Sequence, residues 1–319
     1  MSELNLVLPG LIWPNGADYE YLSSRIQMPN FSNFCCKGRL NKLALRFSDF
    51  IYVEQGNSGL SLANNYATKF GISGYSGYML MEPTHLRLDR DRLLISESEL
   101  LQLNTGDAEQ IIALINEHFA GELRVFQISD ELWLMGLDFA LEDMVSYPLI
   151  DIVGENIDEF LLTGPQRLHL HKLMNEIQML LFNFPLNKQR EEDGLLNVNS
   201  VWLWDKYYEK LPFELGNVLA RNSNIADLDV DLAGINTLVV DKAYFPACYR
   251  DSFSWLEIIA ELDSSLGSKL LALLKSGKLK QLNIYLPALN GCQYVQLSRY
   301  DLWKFWRKNT FQWDKLAKE

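Results

Sequence analysis

Residues 165–205 read PQRLHLHKLMNEIQMLLFNFPLNKQREEDGLLNVNSVWLWD. Leu173, Met174, Ile177, Leu180 and Leu181 recur at helical spacing, which predicts a helix from about Gln166 to Phe182 with one stripe against a core. Pro185 is expected to end it. Beyond the proline stand Asn187, Arg190, Asn199, Trp202 and Trp204, which supply amide donors, a guanidinium fork and flat apolar walls of the kind that read an anionic ligand. The same residues have a plainer use, in which loop amides satisfy backbone groups and tryptophans fill a core. None of the five can serve as a general base.

Outward from this stretch, the chain of 319 residues is longer than one core usually needs, so two domains, or one large α/β domain with an insertion, are expected. Hydrophobic residues make up 48% and charged residues 22%, enough apolar surface for a sizeable core. A formal charge of −12 argues against a broad nucleic-acid footprint, which needs a basic surface. Cys35, Cys36, Cys248 and Cys292 show no C-x-x-C spacing, so neither zinc nor a disulfide framework is expected, and a reduced cytoplasmic setting is. The start lacks a basic secretory leader, and no apolar run of ~20 residues could span a bilayer, so no membrane partner is expected.

Toward the N-terminus, LNLVLP (4–9) reads as a short buried strand, apolar on both faces, of the sort that begins a parallel sheet. Ligands of open α/β folds sit beyond the carboxyl ends of such strands, where this chain places Pro9 and Gly10. Ser58 is read as the N-cap of a helix from Leu60 to Phe70 that stops at Gly71. Between Gly74 and Gly136 the texture changes to short strands around one helix. Strands are expected over 75–81 and 86–95 with Pro83 between them, a helix capped by Thr105, and a hairpin over 123–135. His85 and Arg87 share a strand face, and Asp89 can join them. His169 and His171 lie two apart in a helical pattern and make a poor metal pair.

C-terminal to Trp204, Asp227, Asp229 and Asp231 lack the glycine and glutamate of a calcium loop and suit a half-buried strand. Residues 235–240 form an apolar strand ending in Asp241-Lys242, followed by helices marked by Trp255, Ile259 and Leu262 and by Leu266, Leu270 and Leu274. A hairpin across Asn290-Gly291 and a docked final helix from Asp301 complete the pattern. No nucleotide-cradling glycine loop, nucleophile elbow or H-E-x-x-H is present, so no cofactor is expected.

The run NEIQMLLFNFPLNKQREEDGLLNVNSVWLW (175–204) resembles a segment of cofactor-independent phosphoglycerate-mutase-like proteins in the alkaline-phosphatase superfamily. It looks most like a proteobacterial branch, the RpfE-type regulatory proteins, whose pattern places His and Gly where this chain has Phe184 and Asp205. IQMPNFSNFCCKGRL (26–40) resembles the superfamily's T-P-N-x-x-x-L-x-x-x-G helix, and PTHLRLDRDRL (83–93) the branch's P-V-H-L. Gln55–Gly59 resembles the turn that carries the mutase serine nucleophile, which maps onto Ser58.

The resemblance implies an α/β fold with an alkaline-phosphatase-like core sheet flanked by helices. The core would span 1–75 and 205–319, with an α+β domain inserted over 76–204. It also implies two divalent ions, yet Pro9 stands where the first strand would end in a metal-binding Asp, and Lys242 where an Asp-His pair would hold the second ion. Two readings of Lys242 follow: it supplies some of the positive charge a metal would otherwise bring, or it is a surface lysine after a strand. On these grounds the expected protein is a catalytically degenerate mutase-like one with no bound metal, acting as a regulatory or interaction module through a protein partner. It would keep a pocket for a phosphorylated small molecule, formed by Asn187, Arg190, Asn199, Trp202, Trp204 and His85. The alternative is an active metal-dependent mutase or phosphatase that uses Ser58.

Overall fold

The computed structural model describes residues 3–14, 19–52, 60–89, 92–208, 218–219, 235–307, 311 and 313. Ser58, the rest of 55–59, and Asp227, Asp229 and Asp231 lie outside the described residues. The chain divides into two compact units, Met1–Phe50 with Leu211–Glu319, and Ile51–Lys210.

In chain order the elements are β1 (Glu3–Val7), α1 (Tyr19–Ser23), α2 (Pro29–Lys37), β2 (Arg39–Leu43) and α3 (Phe47–Tyr52). The second unit holds α4 (Leu62–Lys69), β3 (Gly77–Thr84), β4 (Leu86–Asp89), β5 (Arg92–Ile95), α5 (Thr105–His118), β6 (Leu123–Gln127), β7 (Trp133–Leu137), α6 (Arg167–Phe182), α7 (Pro185–Glu192) and β8 (Ser200–Trp204). Then come β9 (Val218–Leu219), β10 (Thr237–Val239), α8 (Tyr244–Cys248), α9 (Ser252–Leu262), α10 (Ser268–Ser276), β11 (Gln281–Ala288) and β12 (Gly291–Ser298).

The first unit is built on a six-stranded sheet in the order β2-β12-β11-β1-β10-β9. β1 runs parallel to both its neighbours, pairing Leu6 with Leu238 and with Ile284. Alternate side chains Leu4, Leu6, Leu238, Leu282, Ile284 and Val295 face one core, which α2, α9 and α10 close with Phe31, Phe34, Trp255, Ile259 and Leu270. The opposite face differs from the expectation of an apolar strand. Thr237, Asn5 and Asn283 stand in register across three strands and are all buried. Asn283 Nδ2 donates to Asn5 Oδ1 at 2.9 Å, so the buried amides satisfy each other. The fold is thus mixed α/β with a sheet flanked by helices.

One long-range contact sets the start of α2. The Asp263 carboxylate accepts from the N–H groups of Asn30 (3.1 Å) and Phe31 (2.8 Å), at a helix end whose preceding residue, Met28, offers no capping side chain. Pro29 is the first residue of α2, where a missing N–H costs nothing.

The second unit carries an antiparallel sheet in the order β6-β7-β3-β8, with α5 and α6 supplying Ile111, Ile115, Leu170, Leu173, Ile177 and Leu181 to its core. The 16-residue helix read from periodicity is α6. Pro185 does end it, but it also opens α7 from its first position, for the same reason that Pro29 opens α2. Pro83 lies inside β3 rather than between strands. It is tolerated because pairing with β7 stops at Met81, leaving Pro83 opposite Val201 of β8 alone. The cap of α5 is Asn104, one residue before the expected Thr105, with its side chain accepting from Asp107 N at 2.9 Å.

The start of the expected final helix is a 3-10 turn, Arg299–Trp303, and most of the rest of that helix, 308–310, 312 and 314–319, lies outside the described residues. Ser298 and Asp301 close the 3-10 segment in a capping box, which fixes a single turn. Its aromatics do not dock: Tyr300 is 69% exposed, Trp303 79%, Phe305 88% and Trp306 69%. Among the described residues no helix is long and apolar enough to cross a membrane.

Candidate functional site

The carboxyl edge of the first unit's sheet is the place where an open α/β fold presents its chemistry. β1 and β10 are adjacent there, and the Val240 N–H donates to Val7 O at 2.9 Å. Past this point the two chains run into backbone contact. Gly10 has φ +75, and a Cβ on it would lie 2.5 Å from Ala243 O. Its carbonyl accepts from Trp255 Nε1 at 2.7 Å, and Trp255 packs on Trp13 with ring centroids 4.9 Å apart. Asp241 is buried, and the Lys242 ammonium sits 3.1 Å from the Glu261 carboxylate.

Among the described residues, those named at this edge lack the set of carboxylates and imidazoles that a pair of divalent ions needs. Pro9 has no side-chain donor, Gly10 has no side chain, Lys242 carries a cation, and of the four only Asp241 is a carboxylate. Among the described residues no three His, Cys, Asp or Glu side chains come together as a metal cluster. The expectation that Lys242 lends its charge to an anion meets a physical objection, since Glu261 already neutralises it.

The six ligand-binding candidates all lie in the second unit, and their polar atoms are directed inward. Asn187 donates to Leu181 O and Val198 O and accepts from Val198 N, each at 2.8 Å, holding the end of α6 to the approach to β8. Arg190 is 2% exposed: it ion-pairs with Asp107, donates to Leu101 O, and donates to Leu196 O at 3.0 Å. Asn199 clamps Leu86, accepting its N–H at 2.7 Å and donating to its carbonyl at 2.9 Å. His85 Nδ1 lies 3.0 Å from Asn197 O. Trp202 donates to Tyr147 O at 2.8 Å, and Trp204 to the buried Glu82 carboxylate at 2.5 Å. All of these contacts are to backbone or side-chain groups of the second unit itself. None of the six lines the cavity of about 670 Å³ in the same unit.

That cavity is lined in part by Ser61, Asn64, Ser76, Ser146, Asp205 and Lys206. Asp205, which stands where the resembled pattern has glycine, lies at one wall of this cavity. It comes directly after β8 and turns its carboxylate onto the first turn of α4. Asp205 Oδ1 accepts from Ala63 N at 2.9 Å and from its neighbour Lys206 N at 2.8 Å. Ser146 fixes its backbone, accepting from Asp205 N at 2.9 Å and donating to Asp205 O at 2.8 Å.

Burial pushes the Asp205 carboxyl up from 3.8 to about 6, despite the hydrogen bonds from Ala63, Ser61, Lys206 and Leu62 that pull the other way. The exposed amides of a helix N-terminus are where a phosphate would be held. In α4 the chain's own carboxylate takes that place. The helix starts at Leu62, with Ser61 at the cap position, two residues later than the expected Leu60. In the sequence Asp205 stands out only as a departure from glycine, because the Ala63 amide it accepts from lies 142 positions away.

No protein-family model matches the chain. Over 61 residues, 19% of this chain, it is 41% identical to a probable 2,3-bisphosphoglycerate-independent phosphoglycerate mutase of Geobacter sulfurreducens, and the match spans 15% of that protein's length. Among solved structures it is similar to the cofactor-independent phosphoglycerate mutase of Thermoplasma acidophilum, 15% identical with a TM-score of 0.37, covering 93% of this chain and 90% of that one. It is also similar to the PH0037 protein of Pyrococcus horikoshii, 11% identical with a TM-score of 0.44, covering 93% of this chain and 87% of that one. The likeness in sequence to that probable mutase is confined to a segment of 61 residues, 19% of this chain.

Proposed function

We propose that this chain is a catalytically degenerate phosphoglycerate-mutase-like protein that serves as a regulatory or interaction module. The observation that carries the reading is Asp205: a carboxylate sits on the amides of α4 where a transferred phosphoryl group would otherwise be stabilised. Pro9 and the Lys242–Glu261 pair at the sheet edge support it, since neither suits a cation that would activate a nucleophile. Its ligand is a phosphorylated small molecule, admitted to the cavity beside Ser61, Asn64 and Lys206. Binding strengthens as Asp205 takes up a proton below about pH 6 and stops repelling the phosphate.

Titration calorimetry with 3-phosphoglycerate at pH 5.5 and pH 8, beside mutase and phosphatase assays with added manganese or zinc, tests this. Tighter binding at the lower pH without turnover, and loss of that pH dependence in Asp205→Asn, is the expected result. A second reading, favoured by the segment 41% identical to a probable mutase, is an active enzyme with Ser58 as nucleophile. Metal-dependent turnover abolished by Ser58→Ala would establish that reading and refute the first.

A further inference from the structure

We propose that the edge of the first unit around residues 299–307 docks on the surface of an anionic phospholipid bilayer. The segment is RYDLWKFWR, and the exposures of Tyr300, Trp303, Phe305 and Trp306 run from 69% to 88%. Isolated exposed apolar residues need no explanation, but four large rings within seven consecutive positions form a patch that water does not favour. Phe305 and Trp306 pack edge to face at 5.2 Å, so the rings are presented together.

Charge selects the occupant. The chain as a whole carries −12, yet this edge gathers cations. Arg299 N bonds to Lys280 O at 3.0 Å, which brings Lys278 and Lys280 beside the turn. Arg307 donates to Gly38 O at 2.8 Å, which brings Arg39 of the neighbouring strand to the same side. Arg39, Lys278 and Lys280 are exposed, and Asp301 pairs with Lys304 within the turn.

Tryptophan and tyrosine are the residues that settle at the headgroup level of a bilayer, and lysine and arginine are drawn to anionic lipid. A headgroup surface needs only the rings and cations of this edge, whereas a nucleic-acid strand would have to track over a chain that is acidic elsewhere. The expectation of no membrane partner rests on the lack of a spanning segment. A surface contact does not require one.

The test uses the full chain with extruded vesicles of phosphatidylcholine, alone or with ~30% phosphatidylserine, read by sedimentation and tryptophan emission. Binding to the anionic vesicles at about 0.1 M salt, with a blue shift, is expected, and at least about tenfold weaker binding to neutral vesicles or at about 0.5 M salt. Trp303→Ala with Trp306→Ala should weaken binding at least about tenfold. Lys278→Glu with Lys280→Glu, at exposed positions that cannot disturb the core, should weaken it at least about 25-fold, from about fivefold for each basic residue lost. The proposal is overturned by no sedimentation with anionic vesicles, by unchanged binding in both variants, or by tighter binding of a single-stranded oligonucleotide. A dimer of the chain that the tryptophan variant dissolves would overturn it too.

Discussion

Replacing Asp205 by Asn should stabilise the protein at alkaline pH, although it removes a charge that caps a helix. A carboxyl held at about 6 in the folded state, against 3.8 when exposed, is disfavoured as an anion. The raised folded value means that Asp205 contributes most favourably below pH 3.8, and that this contribution is lost as pH rises through 6. Linkage puts the loss at about 3 kcal/mol at pH 8 and roughly half of that at pH 5.

Asn keeps an oxygen that can accept from Ala63 N and is neutral throughout, so it imitates the protonated acid. The variant should therefore exceed the parent by up to about 3 kcal/mol at pH 8, less about 1 kcal/mol of lost charge–dipole attraction at α4. Between pH 8 and pH 5 the gap should narrow by about 1 kcal/mol. Urea unfolding of both proteins at the two pH values measures it, and other titrating groups such as Glu97, raised to about 7 by burial, cancel in the difference. A gap that stays constant with pH, or that widens on acidification, refutes the assignment of Asp205 as a strained anion.

Arg190→Ala should destabilise the second unit by about 3–5 kcal/mol, because Asp107 is left without its partner and the Leu101 and Leu196 carbonyls without a donor; a loss under about 1 kcal/mol in urea would contradict the inward-facing geometry. Gly10→Ala forces a Cβ into the Ala243 backbone at positive φ and should cost at least about 2 kcal/mol, read as a lower urea midpoint with an unchanged slope. Asp263→Ala should cost about 1–2 kcal/mol by uncapping α2, with Asp263→Asn recovering part of it; equal losses in both would show that charge rather than hydrogen bonding holds the cap.

What the sequence discloses and what it conceals divide along a physical line. The 3.6-residue recurrence of Leu173, Ile177 and Leu181 places α6 almost to the residue, and Asn290-Gly291 marks the β11–β12 hairpin, since both signals are local. Pro185 reads as a stop and is also a start, because proline marks both the end of one helix and the beginning of the next. The aromatics from Tyr300 to Trp306 suggest a docked helix, but apolarity shows only a preference for burial and not whether the fold provides a surface.

For the site, Pro9 and Lys242 are legible as residues unable to bind a cation. Their adjacency needs the β1–β10 register, and the neutralising Glu261 needs the structure itself. Asn187, Arg190 and Asn199 have the chemistry of a binding site and the contacts of a scaffold. Composition cannot distinguish these uses, because the same donors serve a ligand or a buried carbonyl equally well.

The place of β1 in its sheet has a consequence for synthesis. Residues 3–7 find their partners only at 237–239 and 281–285, so they leave the ribosome long before either neighbouring strand exists. The unit from Ile51 to Lys210 is continuous in the chain and can close around its own core in the meantime. A nascent chain halted near residue 280 should therefore protect α6 and β3 from protease while β1 remains open to cleavage, and release of the β11–β12 hairpin should be the event that seals the sheet.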